Sequence, residues 1–122
     1  MPYREVIKTE TFEDVTIVTF MDQHINQMPQ VELICQELYD FVDDQDKKKV
    51  IIDFSNVESL SSQTLSVLIK VQKKADQAGC QALLCSINRN LSMMFKIAHM
   101  EKHFKICADK KAALAVFGFD SE

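Results

Sequence analysis

Two adjacent serines, Ser61 and Ser62, stand where a short apolar run gives way to an amphipathic segment, and Gln63 and Thr64 follow directly. A hydroxyl at the start of a helix has two uses. It accepts a hydrogen bond from one of the first free N–H groups, which contributes about 1 kcal/mol. If phosphorylated, it places an anion where those N–H groups and the helix dipole stabilise it. Either serine could serve in either way, with the cap the plainer role. His99 and His103 stand four apart, and Cys107 follows at the same spacing. Two histidines so placed on a helix could share a metal. The intervening Met100-Glu101-Lys102 puts the glutamate out of place for a zincin motif, and the helix is expected to yield to a strand before Cys107. These are read as surface histidines near a helix end, and no metal is assigned. Nothing places a Ser-His-Asp or Cys-His set together, so no catalytic residue is assigned.

The elements that must position the serines can be read from periodicity. Val50, Ile51 and Ile52 form a β-branched run without alternation, the pattern of a strand buried on both faces, and Asp53 ends it. From Leu65 through Leu68, Ile69, Val71 and Ala75, apolar residues recur at helical spacing until Gly79, a residue suited to a left-handed helix end. Upstream, Tyr3–Thr9 and Val15–Phe20 read as strands joined by the polar connector Glu10–Asp14, with Met21–Gln27 as a polar loop. Pro29 marks a helix start, and Val31, Ile34, Cys35, Leu38, Phe41 and Val42 form its apolar face. Asp43–Lys49 is a charged, solvated connector. Downstream come a strand at Gln81–Cys85 and a helix carrying Leu91, Met94, Phe95 and Ala98. A strand at Phe104–Cys107 follows. Asp109 then caps a last helix carrying Ala112, Ala113, Val116 and Phe117, which ends at Gly118. The order β-β-α-β-α-β-α-β-α predicts an α/β fold: a mostly parallel sheet, an N-terminal antiparallel hairpin strand and four helices.

With 122 residues, 47% of them apolar, the chain is read as a single domain over residues 1–122 that buries its core without disulfides or metal. The net charge of −4 argues against nucleic-acid binding, which needs a basic surface. No apolar run approaches the roughly 20 residues of a membrane span, and Met1–Glu5 shows no secretory pattern. Cys35, Cys80, Cys85 and Cys107 lack CxxC spacing and read as reduced packing residues of a cytoplasmic protein. Two glycines in the whole chain leave no room for a P-loop or a dinucleotide fingerprint, so no cofactor is assigned.

Asp53, Ser55, Val57, Leu60, Ser62, Leu65 and Leu68 fall on the pattern Asp-x-Ser-x-Val-x-x-apolar-Asp-Ser-Ser/Thr-Gly-apolar-x-x-Leu. On these residues the chain resembles STAS domains of the anti-sigma factor antagonist type. It departs from them at Ser61 (family aspartate), Gln63 (family phosphoacceptor) and Thr64 (family glycine). The resemblance implies a non-enzymatic bacterial module for signal transduction and transcription regulation. Such a module binds an anti-sigma factor, commonly a serine kinase, in a partner-switching pathway. It also implies a contact surface at Ser59, Leu60, Ser61, Ser62, Gln63 and Thr64, with Asp22 beside it. An amide at the acceptor position leaves either a constitutive binder or Ser62 as a substitute acceptor. Nucleic acid and membrane are not expected as partners, and a weak homodimer is compatible with the sequence. Alternative readings are a ligand- or nucleotide-sensing STAS domain and a structural subunit of a larger signalling scaffold.

Overall fold

Runs of β-branched residues with little polar alternation become the strands covered on both faces. The computed structural model describes residues 7–25, 28–43, 48–97, 99, 102 and 104–118, with backbone alone at 28, 29 and 41–43. Its elements are β1 (Ile7–Phe12), β2 (Val15–Phe20), β3 (His24–Ile25), α1 (Met28–Asp43), β4 (Lys49–Asp53), β5 (Ser59–Leu60), α2 (Ser62–Ala78), β6 (Gln81–Cys85), α3 (Arg89–Ile97), β7 (Lys105–Cys107) and α4 (Lys110–Val116). The main sheet has the order β1-β2-β4-β6-β7; β1 pairs antiparallel with β2 and the remaining pairs are parallel. The expected α/β order is present, with β3 and β5 added as a separate two-stranded ladder.

Alternate residues of the inner strands feed two cores. Val18, Phe20, Val50, Ile52, Leu84 and Ala82 pack under α1, α2 and α3, while Val15, Ile17, Ile51, Leu83 and Cys85 pack under α4. Phe20, Phe54, Phe95 and Phe104 form a row of ring contacts with centroids 5.0, 6.4 and 5.8 Å apart. Such contacts add to the area each ring buries. Gly79, at φ 74°, closes α2 by donating to the Ala75 and Asp76 carbonyls, and the Cys80 N–H also reaches Ala75 O at 2.8 Å. That left-handed turn is the one the sequence anticipates.

Several boundaries differ from expectation. Glu10–Phe12 belong to β1, and the connector shrinks to Glu13–Asp14, a two-residue turn in which Glu13 takes φ 55°. The expected hairpin is present, and its turn is tighter than expected because glutamate does not signal a left-handed turn. The loop after β2 contains β3, too short for any periodicity to reveal. On α4 the buried residues are Ala113 and Leu114, whereas Val116 is exposed, because the helix meets the sheet at its middle turn. His99 stands in a left-handed turn beyond the end of α3 and not on a helix. Tyr3–Val6, Asn26, Gln27, the Phe41 and Val42 side chains, Asp44–Lys47, Ala98 and His103 lie outside the described residues.

Candidate functional site at the tip of helix α2

The chain leaves the sheet at Asp53 and is taken in hand at once. Asp53, buried, accepts the Ser55 N–H through Oδ1 at 2.9 Å, the local bond by which a carboxylate orders a turn. Phe54 N–H donates to Cys85 O and Val57 N–H to Phe54 O, both at 3.0 Å. Asn56 Nδ2 donates to Phe20 O at 3.1 Å and Asn88 Nδ2 to Val57 O at 3.0 Å. Asn88 also accepts the Leu91 N–H at 2.8 Å, so one side chain starts α3 and fixes the connector.

Further along, the connector is stitched to the segment after β2. The N–H groups of Glu58 and Ser59 both donate to Gln23 O, at 2.7 and 3.1 Å. β3 and β5 pair in parallel, His24 with Ser59 and Ile25 with Leu60. The Ser61 N–H and the Thr64 hydroxyl both donate to Ile25 O at 2.9 Å. Ser61 is the N-cap: its backbone is extended and its Oγ accepts the Thr64 N–H at 3.2 Å, with the Thr64 hydroxyl 2.9 Å away. α2 therefore begins at Ser62, with Ser62 and Gln63 facing outward and Thr64 and Leu65 buried.

This geometry sorts the residues named from sequence. Ser62 and Gln63 are exposed, and Ser59 and Ser61 are half-buried. Leu60 and Thr64, expected on the contact surface, instead point inward, with 5% and 0% of their area exposed. Leu60 fills the core as any β-strand leucine does, and Thr64 spends its hydroxyl on tertiary bonds. They support the tip without offering it a surface. Asp22, also buried, accepts a 2.6 Å hydrogen bond from Gln30 Nε2, which reaches His24 O at 3.0 Å as well.

Sequence reasoning passed over His24, Gln30, Glu58 and Asn88. Only Asn88 carried a local signal, as a capping residue three positions before Leu91. His24 shares a 2.7 Å hydrogen bond with Ser59 Oγ and lies 3.8 Å from Glu58. Side chains of His24 and Glu58 are more than half exposed, so this trio forms a solvated polar surface with none of the water exclusion that nucleophilic catalysis uses. A cavity of about 590 Å³ lies at the other end of the sheet, where α2 and α4 finish and β6 and β7 begin, lined by Gln72, Cys80, Gln81, Phe104, Lys105 and Phe117 among others.

Burial raises the thiols of Cys80, Cys85 and Cys107, and Cys85 is pushed up to about 12 by burial first and by the Asp53 charge second. Raised thiols of this kind stay protonated at neutral pH and are poor nucleophiles. Among the described residues no three His, Cys, Asp or Glu side chains are grouped to hold a metal, and no helix is long and apolar enough to cross a membrane.

A mostly parallel sheet whose central strand leads into an exposed helix tip defines an α/β domain that presents side chains at its strand ends. The chain belongs to the STAS domain family: a family model for that domain matches residues 7–113. Its fold is similar to that of an anti-sigma-factor antagonist (STAS) domain protein from Planctomyces limnophilus, with 21% identity, 92% of this chain and 97% of that one covered, and a TM-score of 0.80. It is also similar to an anti-sigma factor antagonist from Mycobacterium paratuberculosis, with 20% identity, coverage of 90% and 91%, and a TM-score of 0.78. The Bacillus cell fate determinant SpoIIAA in its phosphorylated form matches at 10% identity, with coverage of 90% and 98% and a TM-score of 0.69.

Proposed function

We propose that this protein is a non-enzymatic partner-binding module of the anti-sigma factor antagonist type, docking an anti-sigma factor of the serine kinase kind through the tip of α2. The observation that carries the reading is the contrast within one turn. Ser61 and Thr64 are consumed by bonds that fix the tip, while Ser62 and Gln63 face solvent on top of it. The docking surface comprises Ser59, Ser61, Ser62 and Gln63 from the tip, with Leu60 and Thr64 beneath and Asp22 holding the neighbouring loop through Gln30. SpoIIAA has a phosphorylated form. In this chain the family's acceptor position holds Gln63, which takes no phosphate, so binding is constitutive unless Ser62 substitutes. A phosphate on Ser62 would be stabilised by the first free N–H groups of α2 and would add charge to the contact surface.

The test is calorimetry against a serine-kinase anti-sigma factor from the source cell. Ser62→Asp and Gln63→Glu are expected to weaken binding at least about tenfold, the size of an added charge at a desolvated contact. Because acidic residues favour the first turn of a helix, the same variants should keep or raise the melting temperature, which separates lost docking from lost folding. Unchanged affinity in both would remove this surface.

A further inference from the structure

The outer edge of β1 is unpaired among the described residues, since β1 stands at one end of the sheet order. Its sequence is Ile-Lys-Thr-Glu-Thr-Phe, and everything after Ile7 is exposed. A two-residue loop closes on a pair that exchanges both backbone hydrogen bonds, and such pairs then alternate. Phe12 with Val15, Glu10 with Ile17 and Lys8 with Thr19 are therefore the bonded pairs. The N–H and C=O groups of Thr9 and Thr11, both exposed, consequently point away from β2, toward the open edge, while those of Ile7 point the same way but are covered.

We infer that this edge pairs with the same edge of a second copy, antiparallel, about a two-fold axis at Thr9. In that register the exposed Thr9 bonds the second copy's Thr9 through both of its outward backbone groups. Lys8 then stands opposite the second copy's Glu10, and Glu10 opposite its Lys8, at the closer, non-bonded positions where side chains interact most strongly. Both lie on the sheet face that carries α4, because their partners Thr19 and Ile17 alternate onto that face. Sliding the register by two residues puts the axis at Lys8 or at Glu10, and like charges meet head-on. Charged residues on an edge strand ordinarily discourage pairing; here the alternation excludes the neighbouring registers and favours one.

The symmetry has a consequence for the tip of α2. The two copies of β2 would run in opposite directions across the joined sheet, so the two tips would face opposite ends of the dimer, both uncovered. Such a dimer presents two docking ends at once.

Sedimentation equilibrium of the full chain, from low micromolar to about 500 μM, reads the association directly. A reversible dimer is expected. Lys8→Glu or Glu10→Lys alone turns both cross-strand contacts repulsive and should raise the dissociation constant about tenfold or more. The double variant K8E/E10K restores opposite charges and should return to within about threefold of the unmodified chain. Both positions are exposed, so melting temperatures should barely move. Thr9→Pro removes an outward N–H that β2 does not use, and should abolish the dimer while the monomer stays folded. A chain that is monomeric throughout the range would overturn the proposal. Single variants that associate like the unmodified chain would overturn it too, as would a double variant no better than either single.

Discussion

The tip of α2 and the outer edge of β1 are both exposed and polar, yet they are built in opposite ways. At the tip, the connector is tied down through its backbone: Gln23 O, Ile25 O, Phe20 O and Val57 O each accept a bond from a residue distant in sequence. Beside the first N–H groups of α2, what is left to offer is side chains, those of the exposed Ser62 and Gln63. Along β1 the backbone itself is on offer, and the side chains only choose the register. The first arrangement can recognise an unlike partner through chemistry that one substitution changes. The second suits a partner with the same strand geometry, of which a second copy is the nearest at hand.

That contrast can be broken at the tip or sharpened at the edge. The largest effect is expected from Phe54→Ala. Phe54 is fully buried at the end of β4 and touches both Phe20 and Phe95, so its loss leaves a cavity directly beneath the connector. Urea denaturation should show about 3–5 kcal/mol of destabilisation; a loss below about 1 kcal/mol would mean the tip does not rest on this row.

Thr64→Val is smaller and more pointed. It keeps the shape but removes a hydroxyl that donates to Ile25 O, an acceptor that still receives the Ser61 N–H. The expected cost is about 1 kcal/mol in denaturation, accompanied by weaker docking and an unchanged β1 dimer. Equal loss of both associations would show that the two regions are not independent.

The smallest effect lies in the hairpin that presents β1. Glu13 holds φ 55°, a conformation that costs a non-glycine residue roughly 1 kcal/mol. Glu13→Gly relieves it and makes a Gly-Asp pair suited to a two-residue turn, against some extra freedom in the unfolded chain. A net gain of about 0.5 kcal/mol should appear as a rise of a few degrees in melting temperature. A fall would mean that the turn is held by the Glu13 side chain.

The parallel strands, the helices, the cap at Ser61 or Ser62 and the left-handed stop at Gly79 were all legible in the order of residues. Each depends on neighbours a few positions apart: an unbroken β-branched run, apolar residues at helical spacing, a hydroxyl before a helix, a glycine after it. The motif from Asp53 to Leu68 was legible for the same reason, since one strand, one turn and one helix are contiguous. The inward turn of Leu60 and Thr64, the grip of Gln30 on Asp22, and the β3–β5 ladder were not legible. They join residues whose proximity exists only after β2 and β4 have paired and brought Gln23–Ile25 alongside Glu58–Ser61. The sequence by itself thus determined which segments become strands and helices and where a helix tip would emerge. Only the tertiary structure decided which side chains of that tip remain free, because a hydroxyl's partner is chosen by what folding places within about 3 Å of it.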